Sequence, residues 1–136
     1  MKLSTKARYG LRVMETLVNN DGADIVAISA LAAATNVTEA YLEQIMPLLK
    51  RADLVTAVRG AGGGYRLARD PALITIGEVV RALEDNLEFI DCLYAPCGGA
   101  CKTHGIWTKI YNAINGALDE VSLEELKTTD GTTCTK

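Results

Sequence analysis

The stretch YLEQIMPLLKRADLVTAVRGAGGGYRLAR, residues 41–69, carries two periodicities in succession. Its first part sets Leu42, Ile45, Met46 and Leu49 at three- and four-residue steps, the repeat of a helix with one buried face. Beyond Asp53 the apolar residues gather in two short runs, Leu54 to Val58 and Tyr65 to Ala68, around Gly60, Gly62, Gly63 and Gly64. Short runs joined by a glycine-rich turn predict a β-hairpin. GAGGGY does not read as a nucleotide cradle. The dinucleotide fingerprint needs glycine where Tyr65 stands, and no Gly-Lys-Ser/Thr follows for a phosphate loop.

Working backward, Thr38 is a suitable N-cap for the helix, and Glu39 lies beside the positive end of its dipole. Pro47 removes one backbone donor, so a bend is expected in the last turn. A shorter helix fits Ile28 to Thr35, with Asn36 placed to end it in a left-handed conformation. Two helices joined by a three-residue turn predict a helix-turn-helix, and the hairpin directly after it is a wing. Further upstream, Leu3, Ala7, Leu11, Met14 and Val18 mark an amphipathic first helix that stops at Asn19-Asn20-Asp21-Gly22.

Working forward, Thr75 and Glu78 form a capping box, with Ile74 and Val79 placed for a hydrophobic staple, opening a helix to about Glu84. Ile106, Ile110, Ala113, Ile114, Ala117 and Val121 make one stripe of a longer helix, widened by Trp107, Tyr111 and Leu118. Such a face exceeds what one small domain needs to cover, which predicts self-association. Ser122 and Glu125 suggest a second capping box before a frayed tail containing Cys134, to which no role is assigned. The expected fold class is mainly α with a small β-hairpin wing: a winged helix-turn-helix plus a long dimerisation helix. The expected division is a DNA-binding domain over 1–85, a loop over 86–104, and a dimerisation helix with its tail over 105–136.

The chain has 136 residues and a net charge of −3. Residues 1–70 carry nine Lys and Arg against seven Asp and Glu, a balance of +2; the remainder carries five against ten, a balance of −5. This asymmetry permits DNA binding by the first half. No run of about 18 apolar residues exists, so no membrane span is expected. With no apolar signal segment after the N-terminal basic residues, a cytoplasmic setting with reduced cysteines is expected.

Three of the four cysteines and the single histidine fall in CLYAPCGGACKTH, residues 92–104. Cys92, Cys97, Cys101 and His104 are spaced C-x4-C-x3-C-x2-H. Soft thiolates in a reduced compartment suit an iron–sulfur cluster or zinc, and the spacing alone leaves both open. An enzyme reading is weaker. No C-x-x-C pair is present, and a catalytic cysteine needs a base besides the ligand-like His104.

A recognition helix enters the major groove with its N-terminal part facing base edges. That assigns Thr38 to phosphate, Tyr41 and Gln44 to base edges, and Glu43 to tuning which sites bind. Arg59 at the wing tip suits a narrow minor groove. Lys2, Lys6, Arg8 and Arg51 are candidate phosphate contacts.

The segments MKLSTKARYGLRVM, YLEQIMPLLKRADLV, VRGAGGGYRLAR and ITIGEVVRALE, in this order, resemble the Rrf2 family of bacterial winged-helix transcription factors. The resemblance covers residues 1 to 121. It implies a homodimer that docks on an operator in double-stranded DNA and holds a cluster in the loop before the dimerisation helix. Three cysteines followed by histidine are most similar to the iron–sulfur regulators of the family, which favours a cluster over zinc. Four ligands match the count of a 2Fe-2S core, with Cys92, Cys97, Cys101 and His104 holding it. The intervals here are shorter than those typical of the enterobacterial type. A nitric oxide-sensing branch takes a carboxylate from the first helix, where this chain has Arg8, which cannot coordinate iron. Similarity further implies control of iron–sulfur assembly genes, by repression when the cluster is bound.

Overall fold

The computed structural model describes residues 2–20, 24–85, 87, 90, 93 and 101–128. Three helices come first: α1 (Thr5–Asn19), α2 (Ile28–Thr35) and α3 (Glu39–Arg51). Strands β1 (Val55–Val58) and β2 (Gly64–Leu67) follow, then one 3-10 turn over Pro71–Leu73 and helix α4 (Ile76–Leu83). A long helix α5 (His104–Glu120) and a short α6 (Glu125–Thr128) complete it. Helices with a two-stranded antiparallel hairpin make the mainly α winged helix-turn-helix that the sequence predicts.

Local signals set most boundaries. Ser4 caps α1 through its hydroxyl, which accepts from the Ala7 N–H at 3.3 Å. The α1 face differs slightly from the expected stripe. Gly10, Val13 and Leu17 join Ala7, Met14 and Val18 inside, while Leu3 precedes the helix and is 37% exposed. Gly10 is where α4 crosses closely: a Cβ there would overlap the side chain of Leu83. Helix α2 spans the expected residues, and Asn36 ends it at φ 57°, ψ 41°.

Helix α3 starts on Thr38, whose hydroxyl accepts from the Tyr41 N–H at 3.1 Å, and continues through Pro47 to Arg51. Its end is a Schellman motif. Leu54 N–H donates to the Leu49 carbonyl and Asp53 N–H to the Lys50 carbonyl, both at 3.0 Å. Asp53 sits between them at φ 62°, a left-handed position usually held by glycine.

In the hairpin Val55 faces Leu67, Thr56 faces Arg66, Ala57 faces Tyr65 and Val58 faces Gly64. Gly60 and Gly62 take φ of 104° and 88° to close its turn. The wing is anchored on its outer side as well. Val26 and Tyr65 exchange N–H···O bonds of 2.8 and 2.9 Å. The core gathers under α1, α3 and α4, with Met14, Leu17, Leu31, Leu42, Ile45, Met46, Leu49, Leu54, Ile74 and Leu83 all buried.

The Thr75–Glu78 capping box is complete, with bonds of 3.1 and 3.0 Å, and Ile74 and Val79 are both fully buried beside it. The chain then returns to this point. Thr75 bridges Ser122, Ile76 N–H donates to the Val121 carbonyl at 2.9 Å, and Leu123 N–H donates to the Ile74 carbonyl at 2.7 Å. Leu123 is buried in the same core. Ser122 thus serves as a bridge residue, and α6 begins at Glu125. No residue of α5 is buried, and Ile106, Ile110 and Val121 are 58%, 38% and 38% exposed. Among the described residues no helix is long and apolar enough to cross a membrane.

Candidate nucleic-acid interface and ligand site

Helix α3 and the wing present one side of the domain together. Glu43 and Lys50 on α3 line a groove with Val58, Arg59 and Gly60 of the wing. Glu43 and Lys50 are seven residues apart, which places them on one helical face; Gln44 and Arg51 share the next. Thr38, Glu43, Gln44, Arg51 and Arg59 are all exposed. Lys50 is a groove residue that the sequence reading passed over, although the seven-residue interval from Glu43 was the signal for it.

Thr38 has a divided role. Its oxygen accepts the capping bond from Tyr41, and its O–H remains able to donate outward. Tyr41 departs from the expected outward placement. It is half-buried and packs edge-on against Tyr9 of α1, ring centroids 5.9 Å apart at 79°. An edge-to-face pair of this kind contributes about 0.5–1.5 kcal/mol beyond its buried area. Lys2, ahead of α1, and Arg8 on it are exposed, and Lys6 is half-buried in the first turn of the helix. The guanidinium of Arg12 lies over the Tyr9 ring, 5.4 Å from its centroid.

Two side-chain clamps tie this side to the rest of the fold. Arg69, just after β2, donates to the Asp53 carbonyl at 3.2 Å and pairs with Glu78 of α4 at 3.1 Å. The wing base and the end of α3 are thereby fixed to α4. Arg81 of α4 grips Asp119 of α5 at 2.7 and 3.1 Å, and donates to the Asn115 side chain at 3.0 Å. That bond to Asp119 raises the Arg81 pKa, and the same bond holds the Asp119 carboxyl below the ordinary aspartate range.

Of the four expected metal ligands, Cys92 and Cys97 lie outside the described residues, as does Cys134. Cys101 and His104 are both exposed, at the start of α5. The His104 N–H donates to the Cys101 carbonyl at 3.3 Å, so one turn separates the two side chains. The Cys101 sulfur lies 3.0 Å from the Thr103 hydroxyl. Among the described residues no group of three or more candidate ligands converges. A cysteine and a histidine three residues apart, both open to solvent, are of the ligand types that suit a cluster or zinc.

A family model described as Rrf2, iron-dependent transcriptional regulator, matches residues 3–129. The transcriptional regulator CymR of Bacillus subtilis is 37% identical over 132 residues, 96% of this chain and 94% of that protein. The regulator IscR of Escherichia coli is 33% identical over 129 residues, 93% of this chain and 80% of that protein. The solved structure of Bacillus subtilis CymR, described as the global cysteine regulator, superposes with a TM-score of 0.82 at 35% identity. It covers 96% of this chain and 99% of its own. The structure of IscR from T. potens gives 0.77 at 34% identity, covering 100% and 93%.

Proposed function

The chain belongs to the Rrf2 family of transcriptional regulators, and from that premise we propose that it is a homodimeric repressor whose DNA binding follows iron–sulfur cluster status. As a member of that family it is a DNA-binding regulator and not an enzyme. The proposed cofactor is a 2Fe-2S cluster held by Cys92, Cys97, Cys101 and His104, and the proposed targets are iron–sulfur assembly genes. A cluster with one imidazole ligand supplies a labile, redox-sensitive occupant at that place.

The observation that carries the reading is that α5 runs from two of the candidate ligands to a side-chain joint with α4. Its first residue is His104, with Cys101 in the turn just before it, and its last turns are bonded through Asn115 and Asp119 to Arg81 of the DNA-binding body. A change of pose at the head of α5 is therefore felt at α4, which packs on α1 and α3. The exposed Ile106 and Ile110 supply the surface on which a second copy would sit, fixing the separation of two recognition helices. Within each copy, Thr38, Tyr41, Glu43 and Gln44 address the major groove and Arg59 the minor groove. Lys2, Lys6, Arg8 and Arg51 address phosphates. The proposed division remains 1–85, 86–104 and 105–136.

The test is anaerobic purification with iron, sulfide and zinc analysis, followed by selection of genomic DNA fragments by the loaded and the stripped protein. Different fragment sets or affinities for the two forms are expected. Equal affinity and equal preference would remove the sensing role. The similarity to a cysteine regulator favours one second reading, a regulator of sulfur metabolism with the same DNA-binding half. Protein that contains neither iron nor sulfide yet binds DNA specifically would favour it.

A further inference from the structure

The described arginines fall into two kinds. Arg69 and Arg81 are committed to Glu78 and Asp119, whereas Arg12 has no carboxylate within ion-pair distance among the described residues. Glu15, one turn further along α1, does not close on it. Arg12 is nevertheless held in place, because its guanidinium sits over the Tyr9 ring. A cation over an aromatic face keeps its N–H donors available to an anion while losing the freedom of a loose side chain. The same Tyr9 ring meets Tyr41, in the first turn of the recognition helix.

We propose that Arg12 contacts a DNA backbone phosphate, and that Tyr9 is the shared platform fixing it relative to Tyr41. Phosphate registration by α1 and base reading by α3 then move as one unit, with an arginine, a tyrosine and a second tyrosine in series. An exposed, unpaired and pre-oriented cation is what a polyanion recruits with the least ordering. Arg12 is here the contacting group and Tyr9 the positioning residue.

The experiment is titration of a fluorescently labelled duplex of mixed sequence, about 30 base pairs long, across roughly 50–200 mM salt. One lost phosphate contact lowers the slope of log K against log salt by about 0.9 per engaged protomer. Arg12→Ala is expected to show that drop, with equal weakening on unrelated duplexes. Lys109→Ala, which removes an exposed charge on α5, is expected to leave the slope unchanged. Tyr9→Leu keeps the charge but removes its platform. Arg12→Ala is therefore expected to cost less in the Tyr9→Leu background than in the wild type. An unaltered slope in Arg12→Ala, or an equal drop in Lys109→Ala, overturns the phosphate contact and leaves DNA binding intact. Strict additivity of the Tyr9 and Arg12 changes overturns the platform. Wild-type protein with no salt-dependent binding would overturn the proposal together with the DNA-binding assignment.

Discussion

Arg81 of α4 and Asp119 of α5 meet in a two-pronged ion pair, both oxygens of the carboxylate engaged at 2.7 and 3.1 Å. The residues are 38 apart in sequence, and with the Arg81–Asn115 bond the pair joins α4 of the DNA-binding body to the long helix. A carboxyl whose folded pKa lies below its unfolded value is charged in the folded chain where the unfolded chain already takes up protons. Its contribution is therefore fully present above the ordinary aspartate range and is lost as pH falls through the folded value. The pair is exposed, so the effect is modest and salt-sensitive. Asp119→Asn should lower the melting temperature slightly near neutral pH, and the gap from wild type should close below about pH 4. A gap that persists unchanged in acid would mean that the charge is not what holds the joint. Hydrogen exchange in the last turns of α5 should quicken in Arg81→Ala.

At the end of α3, Asp53 occupies the left-handed position of the Schellman motif at φ 62°. A left-handed backbone costs a residue with a Cβ roughly 1–2 kcal/mol, and glycine escapes this at some loss of unfolded-state entropy. Asp53→Gly should raise stability by about 0.5–1 kcal/mol, readable as a higher urea midpoint at unchanged slope. The Arg69 bond to the Asp53 carbonyl survives the change, because it uses the backbone. A lower midpoint would show that the aspartate side chain contributes something the backbone geometry does not require.

Ile106 and Ile110 stand one turn apart on α5, 58% and 38% exposed in the single chain. If a second copy covers them, each substitution acts twice at a twofold interface. Ile110→Glu should weaken self-association by on the order of a hundredfold, since two carboxylates would be buried without partners. Sedimentation equilibrium should then give the mass of one chain for the variant and of two for the wild type. Equal masses would place the interface elsewhere.

The loop and the wing should be separable by mutation. Cys101→Ala and His104→Ala should each reduce iron and sulfide content in oxygen-protected protein, the first severely and the second by faster loss of cluster. Arg59→Ala should leave that content unchanged and weaken DNA binding by on the order of tenfold. Loss of visible absorption in Arg59→Ala would contradict the division between the two parts. Full cluster retention in His104→Ala would point to another fourth ligand.

Several elements were legible in the chain alone because their causes are local. The span Ile28–Thr35 with Asn36 after it, the Thr38 cap, the Thr75–Glu78 box and the glycine-closed wing each depend on neighbours within a few residues. Side-chain hydrogen bonding and backbone sterics act at that range, so type and spacing suffice. The grouping of Cys92, Cys97, Cys101 and His104 in one segment was equally plain as a pattern of residue types.

Other features depended on how distant segments meet, and composition carries no trace of that. Ser4 N–H donates to the carboxylate of Glu84, 80 residues away, and Leu123 enters a core built mostly by the first half. Tyr41 reads as an outward residue from its helical position, yet Tyr9 turns it into a packed one. Hydrophobic periodicity identifies which face of a helix is buried, but only the docking of one helix on another selects the partner. That is why the recognition helix and its wing could be read from residues 41–69. The seating of Tyr41 on Tyr9, and of Asp119 on Arg81, came from the packing of α1 against α3 and of α5 against α4.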